Sequence, residues 1–294
     1  MDADTEKFKN SGIKELVEKK YGIDDLISIL AFLRSPDGCP WDREQTHASI
    51  KHNLIEEAYE VIDAIQAEDP DSLKEELGDV LMQVVFHARM AEENGEFDFN
   101  DVVTSISRKL ISRHTHVFGQ DIACNSAEVL QTWEKNKKIE KGLKSQTEVL
   151  QDVPRSLPAL TRAYKVQKRA AQVGFDWPDS SGSLAKIFEE LEEIKEQIEE
   201  AQDKLISGEW SAADGRKAVE KESGDLLFAV VNYLRALKVE PEVALNLCTD
   251  KFIRRFASME QLAISRDKEM ASMTLEELDD LWDEVKLLEK REEE

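Results

Sequence analysis

Apolar positions recur at helical spacing along most of the chain. From Asp24, the residues Leu26, Ile27, Leu30 and Leu33 share one face, which predicts a helix. The run Ser35-Pro36-Asp37-Gly38-Cys39-Pro40 breaks it into a loop that ends near Trp41. From Ser49, Leu54, Ile55, Ala58, Val61, Ile62 and Ile65 form a second stripe. Asp69-Pro70-Asp71-Ser72 stops that helix and caps the next, whose stripe is Leu77, Val80, Leu81, Val84, Val85 and Ala88. After Asn94-Gly95 a further helix is expected from about Asp101 through Val102, Ile106, Leu110 and Ile111 to the loop at Val117-Phe118-Gly119. The stretch from Lys135 to Pro158 is rich in lysine and then loses its period, which reads as a linker. Helical signals resume over 163–173, 184–205, 219–237, 243–264 and 275–290. The expected organisation is an N-terminal extension (1–20), a first helical domain (21–140), a linker (141–160) and a second helical domain (161–290).

The polar residues left over from these stripes repeat in order. The first half carries Glu57xxGlu60, Glu76xxAsp79, Lys109xxxArg113 and then Trp133. The second carries Glu190xxGlu193, Glu222xxAsp225, Lys251xxxArg255 and Trp282. Local context repeats too, with Glu76-Leu77-Gly78-Asp79-Val80-Leu81 answered by Glu222-Ser223-Gly224-Asp225-Leu226-Leu227. Two copies of one helical unit are the economical explanation.

Composition narrows the class. At 294 residues the chain is long enough for one or two cores, and 41% hydrophobic with 34% charged residues describes a globular protein. Only 12 glycines and 7 prolines disfavour a sandwich or barrel with many tight turns, so an all-α fold is expected. The formal charge of -23 repels a nucleic-acid backbone, so direct nucleic-acid binding is not expected. Cys39, Cys124 and Cys248 are far apart and form neither a disulfide framework nor a zinc pattern, which suits a reducing cytoplasm. The N-terminus lacks the order of a signal peptide, and apolar runs such as Leu226 to Val231 are too short to span a bilayer.

Residues three apart are neighbours on a helix surface, so Glu57 with Glu60, and Glu76 with Asp79, present paired carboxylates. The short turn at 69–72 predicts antiparallel neighbouring helices, which would gather all four. Four clustered anions repel unless a divalent cation neutralises them, and hard oxygens without a Glu-x-x-His point to magnesium, with manganese as a substitute. A single ExxE is more often a solvated face; two matched pairs repeated in two halves are not. Such a site suits a polyphosphate, because the cation links protein carboxylates to phosphate oxygens. Lys109 with Arg113, and Lys251 with Arg255, each share a helix face and could grip the phosphates; they could equally bridge to nearby carboxylates. Trp133 and Trp282 offer flat surfaces for a base. His114 and His116 lack further nitrogen or sulfur ligands nearby in sequence, and no Gly-rich phosphate loop, Rossmann fingerprint or GxSxG elbow occurs.

The whole pattern resembles the MazG nucleoside triphosphate pyrophosphohydrolases, whose signature is ExxE, a spacer and ExxD. The likeness runs from about Tyr21 to Lys290. It includes Gly38-Cys39-Pro40-Trp41-Asp42, Gln45-Thr46-His47, Glu56-Glu57-Ala58-Tyr59-Glu60 and Arg113-His114-Thr115-His116-Val117-Phe118 in the first half. In the second it includes Val173-Gly174-Phe175-Asp176-Trp177, Glu189-Glu190-Leu191-Glu192-Glu193, Gly224-Asp225-Leu226-Leu227-Phe228-Ala229 and Lys251-Phe252-Ile253-Arg254-Arg255-Phe256. The resemblance implies two tandem all-α units, usually in a homodimer, that use magnesium to convert nucleoside triphosphates to monophosphate and pyrophosphate. By position it implies Glu57, Glu60, Glu76, Asp79, Glu190, Glu193, Glu222 and Asp225 as metal ligands, Lys251 and Arg255 as substrate contacts, and Trp282 as a residue near the second site. One departure is length: 28 residues separate Glu193 from Glu222 against 15 between Glu60 and Glu76, with an insertion around Ser207 to Gly215.

The expected function is magnesium-dependent hydrolysis of ribo- and deoxyribonucleoside triphosphates as a nucleotide house-cleaning step. A non-catalytic acidic helical protein serving dimerisation or regulation is the alternative, and a phosphatase releasing single phosphates is a third. Repeated carboxylate pairs followed by Lys/Arg pairs favour catalysis, since a scaffold needs no such order.

Overall fold

The computed structural model describes residues 13–292, so the first twelve residues of the expected N-terminal extension, and the last two of the chain, lie outside it. Every described element is helical, and the chain divides into two compact units at Lys137/Lys138.

In the first unit, α1 (Ile13–Glu18), α2 (Ile23–Leu33) and α3 (Pro40–Glu44) lead into α4 (His47–Gln66) and α5 (Pro70–Glu93). α6 (Phe99–Arg113), the single turn α7 (Thr115–Phe118) and α8 (Ser126–Glu140) follow. Local chemistry sets the ends of the central pair. Thr46 accepts from the Ser49 backbone N–H while Ser49 answers the Thr46 N–H, and Asp69 accepts from the N–H groups of Asp71 and Ser72 with Pro70 at the first helical position. The three-residue connection makes α4 and α5 an antiparallel pair, and α2 packs on α5. Leu30, Ile50, Val85, Phe86 and Met90 are buried together at their junction, sealed by Leu26, Ile27, Leu33, Met82 and Phe99. Arg34 clamps the end of α2: it donates to the carbonyls of Asp42 and Gln45 and pairs with Glu93 at 2.7 Å. Gly38 sits where a Cβ would fall 2.2 Å from the Phe32 carbonyl oxygen, so that turn admits no side chain.

The second unit opens with α9 (Gln146–Gln151) and α10 (Ala159–Ala171) and is built on the long pair α11 (Ser180–Ile206) and α12 (Ala212–Ala236). α13 (Pro241–Ser265), a 3-10 turn (Met270–Ser272) and α14 (Leu275–Glu292) complete it. Met259, Ala263, Leu281 and Val285 form a buried cluster between α13 and α14. α10 packs on α12 and α13, where the buried Gln167 donates to the Phe228 carbonyl at 2.8 Å. Asp176 takes both arms of the Arg235 guanidinium.

Two differences from the sequence reading have local causes. The segment read as a linker contains α9, because Ser145 and Glu148 form a capping box and Val149 and Val153 find a buried place. The insertion around Ser207 to Gly215 is a tight five-residue connection, 207–211, followed by the first turn of α12. α11 and α12 each run further past the acidic residues than α4 and α5 do, and a Ser211/Asp214 capping box starts α12 at Ala212 rather than near Val219.

Candidate metal centres

On α4 and α5 three of the four carboxylates come together in one trio. One oxygen from each of Glu57, Glu76 and Asp79 lies within 4.8 Å of the others, and Glu60 is in hydrogen-bonding reach of both Glu57 and Glu76. Gln83, buried one turn beyond Asp79, donates from Nε2 to Glu57 Oε1 at 3.4 Å. Burial and then the charge of Asp79 push the Glu57 carboxyl above its usual range, against the pull of the Gln83 hydrogen bond. Glu76 is raised by burial and by Glu60 and Asp79. The cluster stores charge repulsion that a cation would relieve.

The second cluster, on α11 and α12, has the same register but a different charge balance. Oxygens of Glu190, Glu193 and Glu222 lie within 4.8 Å of one another, while Asp225 is exposed and outside that trio. Glu190 is only 5% exposed, and its Oε2 is buried without a hydrogen-bond partner. Its other oxygen accepts Lys186 Nζ at 2.7 Å, and the same ammonium reaches Glu189 at 2.9 Å. Lys221 Nζ lies 2.7 Å from Glu222. The bonds to Glu190 and then Glu189 push the Lys186 ammonium well above the usual lysine value, while Glu190 and then burial raise Glu193. A buried carboxylate oxygen with no donor, in a set made only of hard oxygens, fits a divalent cation such as magnesium or manganese. Each cluster could hold one.

The cationic pairs take a parallel course in the two units. Arg113 lies over the Trp133 ring at 5.4 Å and Arg255 over the Trp282 ring at 5.8 Å. His114 meets Trp133 edge-on at 4.8 Å, and Phe252 lies 5.2 Å from Trp282. Arg255 is also held by Glu289 at 2.7 Å, whereas Lys109 and Lys251 are exposed. Each arginine is thus assembled with its tryptophan. Neither Lys109 nor Lys251 pairs with a metal-cluster carboxylate among the described residues.

Comparison with known proteins matches this arrangement twice over. The MazG nucleotide pyrophosphohydrolase domain matches residues 45–118 and 180–258. The chain belongs to the MazG family. It is 48% identical over 265 residues to the nucleoside triphosphate pyrophosphohydrolase of Escherichia coli K12, covering 90% of this chain and 97% of that protein. It is 45% identical over 270 residues to the nucleoside triphosphate pyrophosphohydrolase/pyrophosphatase MazG of Thermotoga maritima, covering 91% and 98%. A Bacillus subtilis protein named YabN is 45% identical over 264 residues, which is 90% of this chain and 51% of that longer one.

Both MazG segments contain their ExxE, ExxD and Lys/Arg pair, and both tryptophans fall outside them. Sequence reasoning missed Gln83, Lys186 and Lys221, all inside the MazG segments. Lys186 was legible as a lysine four residues before Glu190, the spacing of a helical ion pair. Gln83 carried a weaker signal, a polar residue amid Leu81, Val84 and Val85 on a buried stripe.

Proposed function

We propose that the protein is a cytoplasmic, magnesium-dependent nucleoside triphosphate pyrophosphohydrolase that converts ribo- and deoxyribonucleoside triphosphates and water to the monophosphate and pyrophosphate, clearing unwanted or excess nucleotides. The observation that carries this reading is the carboxylate cluster found on each antiparallel helix pair of two MazG domains. The relatives named as pyrophosphohydrolases, matched over nine-tenths of this chain, support it. Magnesium, with manganese as substitute, suits the all-carboxylate donor set; when bound it would polarise phosphate oxygens and acidify a water.

Glu57, Glu60, Glu76 and Asp79, with Glu190, Glu193, Glu222 and Asp225, hold the cation by this reading. Glu56 or Glu189, beside the clusters in sequence, accepts the proton of the water that attacks the α-phosphorus in line with departing pyrophosphate. Lys109 and Arg113, or Lys251 and Arg255, orient the outer phosphates, and Trp133 or Trp282 stacks on the base. Stacking tolerates every base, so breadth rather than a single nucleotide is expected.

A homodimer is part of the proposal. Ile106, Leu110 and Ile111 in the first unit, and Phe252, Ile253 and Phe256 in the second, leave apolar surface open on the helices that carry the cationic pairs, as a subunit interface would require. The net charge of -23 supports a partner list without nucleic acid, and no helix among the described residues is long and apolar enough to cross a membrane.

The test is incubation of the purified protein with magnesium and a panel of triphosphates, with monophosphate, diphosphate, pyrophosphate and phosphate resolved separately. Monophosphate plus pyrophosphate, lost on chelation, is the expected result. Glu60→Gln and Glu193→Gln, separately and combined, assign the turnover to one half or both. Diphosphate plus phosphate would replace this reading with a phosphatase, and no turnover with any substrate would replace it with a scaffold.

A further inference from the structure

The two carboxylate clusters share a backbone register but differ in what already neutralises them. Aligning Glu57 with Glu190 places Asn53 opposite Lys186, and aligning Glu76 with Glu222 places Glu75 opposite Lys221. The second cluster therefore carries two ammonium groups, each 2.7 Å from a carboxylate oxygen of its own site. The first carries an amide and a further carboxylate at the same places, and Glu75 adds to the repulsion on Glu76.

We propose that Lys186 and Lys221 are resident counter-ions of the second cluster, so that this cluster takes up its divalent cation together with a nucleotide, whereas the first takes up a cation alone. This rests on the metal-dependent reading of both clusters.

Lys186 Nζ sits on Glu190 Oε1, one of the oxygens that would ligate an ion, and is tied at the same time to Glu189. An incoming cation meets ammonium groups already in contact with Glu190 Oε1 and with Glu222, and is either repelled by them at close range or displaces them with loss of charge-assisted hydrogen bonds. Glu190 Oε2 remains buried and without a donor, so the lysine only half satisfies the carboxylate and the site still calls for a second positive group. A triphosphate supplies what the bare ion lacks. Its negative oxygens draw the two lysines away from Glu190 and Glu222 and add ligands for the cation, so nucleotide and metal raise one another's affinity, as linkage requires. No such exchange is needed at the first cluster. Gln83 holds Glu57 there through a neutral amide, which fixes the carboxylate without cancelling its charge.

The experiment is manganese binding to the full-length, metal-stripped protein, with free manganese counted by electron paramagnetic resonance, with and without a non-hydrolysable triphosphate analogue. Without the analogue, bound manganese is expected to be lost in Glu57→Gln and retained in Glu190→Gln and Glu193→Gln. With the analogue, a second class of ions appears, and it disappears in Glu190→Gln and Glu193→Gln. Replacing both lysines, Lys186→Met with Lys221→Met, should strengthen nucleotide-free binding at the second cluster by about ten-fold, within the usual range of such couplings. Both lysine side chains are partly or largely exposed, at 39% and 73%, so the fold tolerates the change. Equal filling of the two clusters without nucleotide, or unchanged affinity in the double lysine variant, would overturn this proposal while leaving the metal-dependent reading intact. Absence of manganese uptake under every condition would overturn both.

Discussion

Neutralising Glu57 should stabilise the metal-free protein and weaken it in magnesium. The ligand oxygens of Glu57 and Asp79 lie within 4.8 Å. Two unit charges at that distance repel by about 0.9 kcal/mol in a water-like medium and about 3.5 kcal/mol at an effective dielectric of 20. Glu57 is only half-buried, so the lower part of that range applies and the repulsion is about 1 kcal/mol. Glu57→Gln removes it and keeps an acceptor oxygen for Gln83. In chelator the melting temperature of the first unit should therefore rise by about 3–5 °C. The sign reverses with the cation. Magnesium at a hundred times its dissociation constant stabilises the wild type by about 2.7 kcal/mol, most of which the variant forfeits. The pH dependence has a defined sign as well. A carboxyl raised in the fold contributes stability below its unfolded value and loses it as pH rises through the folded one, so in chelator the wild type gains more than Glu57→Gln on acidification through the carboxylate range. Thermal unfolding followed by circular dichroism, in chelator and in excess magnesium, is the assay. A variant that melts lower in chelator and responds to magnesium like the wild type would refute the repulsive cluster.

Gly78 and Gly224 sit mid-helix beside the ExxD aspartates, with no atom within 4 Å of where a Cβ would stand, so Gly224→Ala should stabilise the chain by about 1 kcal/mol in a melt. If substrate or a second subunit approaches that backbone, turnover falls while stability rises; unchanged activity would show that nothing does. Asp176→Ala strips the carboxylate from the Arg235 guanidinium, whose side chain is 11% exposed, and should cost about 1.5–3 kcal/mol in denaturant unfolding. His47 and His87 share one hydrogen bond between Nδ1 atoms 2.7 Å apart, and burial followed by His47 holds His87 below the usual histidine value. The stability this lends the first unit is complete above about pH 6.5 and is lost as pH falls through the lower folded value, so melts between pH 7.5 and 5 should show a decline that His87→Gln flattens.

The stripes of α2 and α5 were legible because burial sets their phase, with Leu30 and Val85 at the centre of the first core, whereas Leu54, Ile55 and Ile65 on α4 and Ile106, Leu110 and Ile111 on α6 keep the helical period but stand exposed. The paired carboxylates were legible for a related reason, since three-residue spacing on neighbouring antiparallel helices leaves few other places for them. Helix starts outside the stripes were harder. α12 begins seven residues before its apolar period because Ser211 and Asp214 cap it, and α9 depends on the short Ser145/Glu148 box, a signature present in the sequence but easily lost in a lysine-rich stretch. α6 stops at Arg113, where His114 leaves helical geometry with φ -97° and ψ 53°, so the expected continuous run to Val117 breaks into a separate turn. The arginine–tryptophan stacks were out of reach, because Trp133 lies 20 residues beyond Arg113 and nothing in the spacing ties them.

Duplication makes the chain its own control. One motif order, ExxE then ExxD on a helix pair, gathers carboxylates in both halves, with Asp79 inside the first trio and Asp225 outside the second. The shell around them differs as well. Gln83 in the first unit is answered by Ala229 in the second, both buried, and Asn53 and Glu75 are answered by Lys186 and Lys221. A neutral amide orients Glu57 but leaves its charge in place, and the cluster then pays for folding in repulsion until a cation arrives. Two ammonium groups offset part of that repulsion in the second unit, where Glu190 still raises Glu193, at the cost of standing where the cation would go. Two such sites can keep the same ligands and the same chemistry while diverging in when the cation binds. That divergence needs only a few substitutions outside the ExxE and ExxD residues, which is why the motif alone does not reveal it.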